Sequence, residues 1–225
     1  MSSQTRRAVA ELLGTFGLVF FGAGAVITSG AGGYGLLGVA LVHAIVLSVM
    51  VSATMSISGG HLNPAITLAL LLARRIDGKN AGIYIVAQLI GATLAGLALK
   101  GLLPGPMVRA TMAGVPHVAG SMTVPMAIAM EAVLTFFLVS AVFGTCVNPD
   151  APKIGGFGIG LTLFFDIMLG GTFTGAAMNP ARAFGPAVVS GVWTAHAVYW
   201  VGPIVGGLLA ALLWDKVILA KSSDK

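Results

Sequence analysis

Charged side chains are scarce in this sequence. Only 8% of its 225 residues are Asp, Glu, Lys or Arg, against roughly a quarter in a soluble domain. A soluble globule of this length must cover its surface with polar groups, and 12 bases with 7 acids cannot do so. The shortage excludes a soluble enzyme, a nucleic-acid-binding module and a disordered chain. Cysteine occurs once, at Cys146. That excludes an internal disulfide and a cysteine-built metal site. A lone Cys of this kind is expected as a small buried apolar residue near a helix end. No nucleophile–base pair and no cluster of metal ligands shares a location, so neither an enzyme nor a cofactor is expected.

Apolar residues fill the space that charge leaves. They make up 57% of the chain, and the mean hydropathy is +0.98. The remaining class is a polytopic membrane protein. Glycine is also abundant, 32 of 225 residues, about twice the usual share. In an apolar chain this predicts helices packed backbone to backbone.

A spanning helix needs about 20 mostly apolar residues. Six stretches qualify: about Ala8–Ser29, Leu36–Ile57, Ala81–Leu103, Val124–Val147, Gly155–Phe173 and Ala195–Ala220. Arg6 and Arg7 precede the first, as in a signal peptide. That stretch is too long for a signal core, contains Glu11 and lacks a small-residue cleavage site, so it is expected to be retained. With the N-terminus in the cytoplasm, six spans return the C-terminus there. Arg6, Arg7, Arg74, Arg75, Lys79, Lys153, Lys216, Lys221 and Lys225 then lie inside, and only Lys100 and Arg109 outside. The net charge of +5 therefore reflects topology, and no nucleic-acid partner is expected.

Two more apolar stretches, about Pro64–Ala73 and Pro180–Val189, are too short to span. Each follows an Asn that can cap a helix and starts with a Pro suited to its first turn. They read as half-helices reaching mid-membrane. The chain also repeats itself. Glu11, Thr15 and Phe16 recur 120 residues later as Glu131, Thr135 and Phe136. The segment around Asn63-Pro64-Ala65 recurs 116 residues later around Asn179-Pro180-Ala181. Each repeat, about 8–103 and 124–220, holds three spans and one half-helix. Three is odd, so the second repeat enters the membrane inverted. The fold class is an all-α membrane protein: one channel domain over 1–225, with six transmembrane helices and two re-entrant half-helices. The half-helices are expected to meet N-terminus to N-terminus, with Asn63 and Asn179 facing each other. The Gly-rich approaches, Gly59-Gly60-His61 and Gly175-Ala176-Ala177, suit extended backbone lining a watery path.

These residues resemble the aquaporin, or major intrinsic protein, family over nearly the whole chain. The likeness rests on the opening A-E-x-x-x-T-F, the two Asn-Pro-Ala boxes, S-G-G-H before the first and Arg182 after the second. The segments H-L-N-P-A-I-T, G-G-T-F-T-G-A-A-M-N-P-A-R-A-F-G-P and V-P-H-V-A-G look most like plant tonoplast intrinsic proteins. The resemblance implies a homotetramer in a lipid bilayer, with one pore per subunit. It implies a plasma or inner membrane location, or alternatively a vacuolar one. Its permeants would be water and small neutral solutes.

Carried over position by position, the family pattern makes His43, Ile167, Ala176 and Arg182 the selectivity filter. His117 is a fifth member if it reaches Arg182. The paired Asn amides would donate to water, and each half-helix adds about half a positive charge at the midplane. Cations would be repelled, and a water held by both amides would interrupt proton transfer. Strict water filters in the family have Phe where His43 stands and His where Ile167 stands, so ammonia is expected as a second permeant. Glu11 and Glu131 are intramembrane acids, and their equivalence points to accepting hydrogen bonds from backbone N–H groups of the re-entrant loops. Asp166 is expected near the outer mouth, with no assigned partner. A glycerol facilitator competes with the water channel, but such relatives usually carry an aromatic at position 43 and Asp at 183, which here is Ala. An ion-coupled transporter also uses broken helices, but would need a titratable midplane site.

Overall fold

The computed structural model describes residues 1–30 and 32–220. Lys221 and Lys225, counted above among the inside bases, lie outside the described residues. All regular elements among those described are helical: α1 Ser3–Gly30, α2 Gly35–Ser58, α3 Pro64–Leu72, α4 Gly78–Leu102, α5 Gly105–Ala110, α6 Val124–Val142, α7 Phe157–Gly170, α8 Pro180–Ser190 and α9 Val198–Leu213. π-helical turns at Phe143–Val147 and Trp214–Ile218 prolong α6 and α9.

Five helices, α1, α2, α4, α6 and α9, are long and apolar enough to cross a membrane. The sixth, α7, has 14 residues, fewer than the stretch expected over 155–173. Hydrogen bonds from Gly171 to Ile167, Thr174 to Gly170 and Gly175 to Gly171 carry its spiral onward into the following loop. The last helix starts at Val198 rather than near Ala195, because Ala195 takes a left-handed conformation with φ of 51°.

The two short elements are half-helices. α3 has 9 residues and α8 has 11, or roughly 13 to 17 Å at 1.5 Å per residue, about half the bilayer core. Asn63 caps α3 by accepting from Ala65 N at 2.8 Å. Asn179 caps α8 by accepting from Ala181 N at 3.0 Å.

Helix contacts obey the repeat. In the first half α1 packs on α2 and α4; in the second α6 packs on α7 and α9. The halves meet where α2 packs on α7, and each half-helix lies mainly against the other half's last helix, α3 on α9 and α8 on α4. Glycine permits the close approach. A Cβ at Gly202 would sit 2.8 Å from the Ile128 carbonyl of α6, and one at Gly206 would overlap Ala132. Gly91 of α4 meets the Leu12 backbone of α1 in the same way. These contacts exploit small residues as helices in lipid do, where no hydrophobic drive pulls helices together.

The outer surface is apolar: Phe21, Ile45, Val49, Val86, Phe137, Phe165 and Leu209 are all exposed. Polar groups turn inward, with Glu11, Gln88, Glu131 and Thr174 fully buried. That inversion of the soluble pattern is what lipid requires. Cys146 departs from the expected burial. The π-turn that ends α6 leaves it exposed on the outside of the bundle.

The start of α1 and the π-turn after α9 lie at one end of the bundle. Gln4 Nε2 donates to Asn80 Oδ1 at 3.2 Å, and Arg75 reaches Asp215 at 3.4 Å.

Candidate pore and selectivity filter

Two loops, 59–63 and 175–179, join the half-helices to the preceding spans. Neither is helical, and both are buried from their second residue onward, at 60–63 and 176–179. Positive φ values at Gly59, Gly60 and Leu62, and at Gly175, Ala176 and Met178, give them matching turns. Such conformations cost about 1–3 kcal/mol at non-glycine residues and persist only where their surroundings hold them.

A buried carboxylate holds each loop. Glu11 Oε1 accepts from Ser58 Oγ at 2.6 Å and His61 N at 3.0 Å, and its Oε2 accepts from Leu62 N at 2.7 Å. Glu131 Oε1 accepts from Thr174 Oγ1 at 2.7 Å and Ala177 N at 3.0 Å, and its Oε2 from Met178 N at 2.7 Å. A tyrosine completes each set. Tyr84 O–H donates to Ser58 O and Tyr199 O–H to Thr174 O, both at 2.8 Å. The sequence reading missed Ser58, Thr174, Tyr84 and Tyr199. Ser58 and Thr174 stand opposite each other at the 116-residue offset of the aligned segments, and following the repeat further would have paired Tyr84 with Tyr199 at 115.

With their N–H groups turned toward the glutamates, the loops leave carbonyls over. The oxygens of Gly59, Gly60, His61, Gly175, Ala176 and Ala177 accept no hydrogen bond among the described residues. They form two short runs of acceptors leading to the half-helix tips.

At the tips the loops bond to each other. Asn63 Nδ2 donates to Met178 O at 2.8 Å, and Asn179 Nδ2 donates to Leu62 O at 2.9 Å. Each side-chain oxygen is already spent on its own cap. An amide NH2 has two hydrogens, so each Asn keeps one N–H unspent. Both Asn residues line a narrow chamber, with His43, Ala176, Ala177 and Arg182 on its wall. Its volume is about 10 Å³, room for about one water. Pro64, Ala65, Pro180 and Ala181 are buried in the first turns behind it.

The chamber lies between two vestibules. One, of about 670 Å³, lies at the bundle end where α1 starts and is lined by Gly59, His61, Tyr84 and three arginines. The other, of about 220 Å³, is lined by Ile167, Gly175, His117, His43 and Arg182. His43 and Arg182 border both this vestibule and the chamber, which places them at the junction.

Arg182 is 4% exposed. Its Nη1 donates to Gly114 O at 2.9 Å, and no acid pairs with it among the described residues. Gly114 is a partner that the sequence reading missed. His117 is exposed on the vestibule wall and makes no hydrogen bond to Arg182. The turn at Met112, Ala113 and Gly114, all at positive φ, delivers the Gly114 carbonyl there instead.

His43 Nδ1 lies 2.8 Å from Val39 O. A carbonyl can only accept, so Nδ1 carries the hydrogen and the neutral ring's Nε2 is left as an acceptor. The ring rests on α1 at Gly22, where a Cβ would come within 2.7 Å of Cδ2. Gly22 is another residue absent from the sequence reading. Asp166, next to Ile167, is 2% exposed, and its Oδ2 has no partner among the described residues. Among the described residues no three His, Cys, Asp or Glu side chains gather as metal ligands.

The arrangement offers donors at the centre, acceptors on either side and one fixed cation. It can exchange hydrogen bonds with a passing small molecule. The profile of the major intrinsic protein family matches residues 1–214. The chain is a major intrinsic protein. It therefore belongs to a family of channels rather than of enzymes. It is 46% identical to aquaporin TIP4-4 of Zea mays, over 98% of this chain and 89% of that protein. It is 43% identical to probable aquaporin TIP3-2 of Arabidopsis thaliana, over 97% and 86%. The X-ray structure of the aquaglyceroporin from Plasmodium falciparum superposes with a TM-score of 0.88, at 26% identity, covering 96% of this chain and 97% of that one.

Proposed function

We propose that this major intrinsic protein is a passive water channel that also conducts ammonia and excludes protons and ions. The observation that carries the reading is the reciprocal bonding of Asn63 and Asn179 across the two loops. It fixes both amides while leaving each one free N–H, so a water held between them meets a donor from each half of the chain. Its own hydrogens then turn outward, toward the free carbonyls of the two loops. Half-helix N-termini on both sides add positive potential, and Arg182 adds a full charge.

His43, Ile167, Ala176 and Arg182 form the filter in this reading, and His117 shapes the approach to it. Ammonia suits them. Arg182 can donate to its lone pair, while His43 Nε2 accepts one of its N–H groups. Ile167 and Ala176 demand no hydration shell. The chain acts as a single channel domain, one pore per subunit of a homotetramer. The bases favour cytoplasmic termini: Arg6, Arg7, Arg74, Arg75, Lys79, Lys153 and Lys216 lie on loops or ends of the terminal side, against Lys100 and Arg109 on the other. A plasma or inner membrane suits this orientation. The likeness to tonoplast intrinsic proteins makes a vacuolar membrane the competing location.

Stopped-flow light scattering and internal-pH recording on the same proteoliposomes test the reading. Fast osmotic shrinkage together with fast alkalinisation on an ammonia gradient supports it. Shrinkage without alkalinisation above protein-free vesicles leaves a water channel and removes ammonia.

A further inference from the structure

The vestibule at the terminal end of the pore is ringed by Arg7, Arg74 and Arg75. Its neutral polar groups are already engaged. Tyr84 O–H donates to Ser58 O, Asn80 pairs with Asp77 and Gln4, and His61 Nδ1 pairs with Thr67 Oγ1. Among the described residues its one acid, Asp77, caps α4 by accepting from Asn80 N at 3.0 Å. Arg75 has Asp215 at 3.4 Å. Arg7 and Arg74 have no acidic partner among the described residues. Two unspent guanidinium groups therefore face one cavity on the pore axis.

Topology alone does not ask for this. Arg6, Lys79, Lys153 and Lys216 already supply bases at the same end. Nor does the repeat impose it. Arg7 corresponds to Ala127, and Arg74 and Arg75 to Ser190 and Gly191. The backbone adds an independent sign. The C-cap of α8 is a left-handed glycine, Gly191 with φ of 76°, whereas α3 is capped by Ala73 at φ of −77° and the left-handed residue that follows it is Arg74, with φ of 56°. Glycine takes that conformation freely and arginine does not. The strain is kept for a side chain that lines the vestibule.

We infer that Arg7, Arg74 and Arg75 form a site for a polyvalent phosphate group, whose occupancy narrows the mouth of the pore. Guanidinium planes bind phosphate oxygens in pairs. The group can come from a soluble polyphosphate or from a phosphorylated lipid headgroup at the bundle end. This regulation rests on the channel reading above, but the binding itself does not.

Calorimetric titration of the full chain with inorganic tripolyphosphate tests the site. Saturable binding of one equivalent per chain is expected. It should weaken by about tenfold in Arg7→Gln and in Arg74→Gly, as each charge-assisted contact is lost, and disappear in the double variant. Arg74→Gly suits the left-handed backbone, so the fold is kept. Water flux of both variants without anion should equal that of the wild type. Flux through wild-type proteoliposomes should slow with tripolyphosphate on both faces, and the double variant should not respond. A second arm replaces the soluble anion with phosphatidylinositol 4-phosphate in phosphatidylcholine vesicles. Slowing there assigns the lipid source; slowing with tripolyphosphate alone assigns the soluble one. Absence of binding, or equal affinity in the double variant, overturns the inference. Binding without any slowing overturns its regulatory half. A wild type with no water flux would instead sink the channel reading and leave the titration standing.

Discussion

Asn63 Nδ2 donates to the carbonyl of Met178 at 2.8 Å, joining residues 115 apart in sequence at the tips of two half-helices. Asn179 returns the bond to Leu62 at 2.9 Å. The pair locks the loops at their meeting point, so the free N–H of each amide is a fixed donor rather than a mobile one.

Among the described residues Arg182 is the one full charge at the junction of the chamber and the vestibule lined by Ile167 and His117. Arg182→Val should admit larger neutral solutes and weaken cation exclusion while water flux persists. Reflection coefficients for urea and glycerol, with proton leak on the same vesicles, check this. An unchanged profile would remove Arg182 from the filter.

His43→Phe replaces an acceptor with an apolar ring on the Gly22 surface. Water flux should persist. Ammonia flux should fall roughly fivefold if one net hydrogen bond of about 1 kcal/mol is lost at the barrier. Internal-pH recording reads this directly, and equal ammonia flux in the two proteins would contradict the assignment.

Glu131→Gln keeps the shape but leaves one acceptor oxygen for Thr174, Ala177 and Met178. At least one buried donor is then unsatisfied, at about 1–3 kcal/mol. Thermal unfolding in detergent should show a lower Tm. Among the described residues the Glu131 carboxylate has no fourth partner, whereas Glu11 also accepts from Gln88 Nε2 at 2.7 Å. An unaltered Tm would mean the loop is held by other contacts.

His196 lies between α8 and α9, outside the spans. Its Nε2 accepts from Trp200 Nε1 at 3.1 Å, and its ring meets Trp193 at 4.7 Å. Partial burial lowers its pKa from the usual 6.5. The folded protein thus favours the neutral ring. That contribution to stability is fully present above about pH 6.5 and is lost progressively as pH falls below it through the folded value. Tryptophan fluorescence should change reversibly on acidification below that point, and His196→Phe should remove the change. A variant that keeps the wild-type titration would contradict the role given to His196.

Much of this was legible in the sequence because lipid leaves few choices. Apolar length marked the spans, Asn-Pro marked the half-helix starts, and the repeat of Glu11 as Glu131 marked the loop supports. Less legible were residues whose role depends on distance in space. Nothing local in the sequence marks Gly114 as the carbonyl for Arg182, or Gly22 as the floor for His43. The hydrogen-bonding sense of His43 was also hidden, since it is set by the Val39 carbonyl one helical turn earlier. Cys146 looked buried by type, but a π-turn rotates it outward. The boundaries of α7 and α9 shifted because Gly171 to Gly175 continue as turns and Ala195 takes positive φ.

The temperature dependence of osmotic water flux in proteoliposomes tests the central claim most directly. A continuous single-file path through Asn63 and Asn179 predicts shrinkage far faster than in protein-free vesicles, with an activation energy close to that of water diffusing in bulk. Shrinkage no faster than bare lipid, or a rate with the steep temperature dependence of a carrier that must change shape at each turnover, would contradict it.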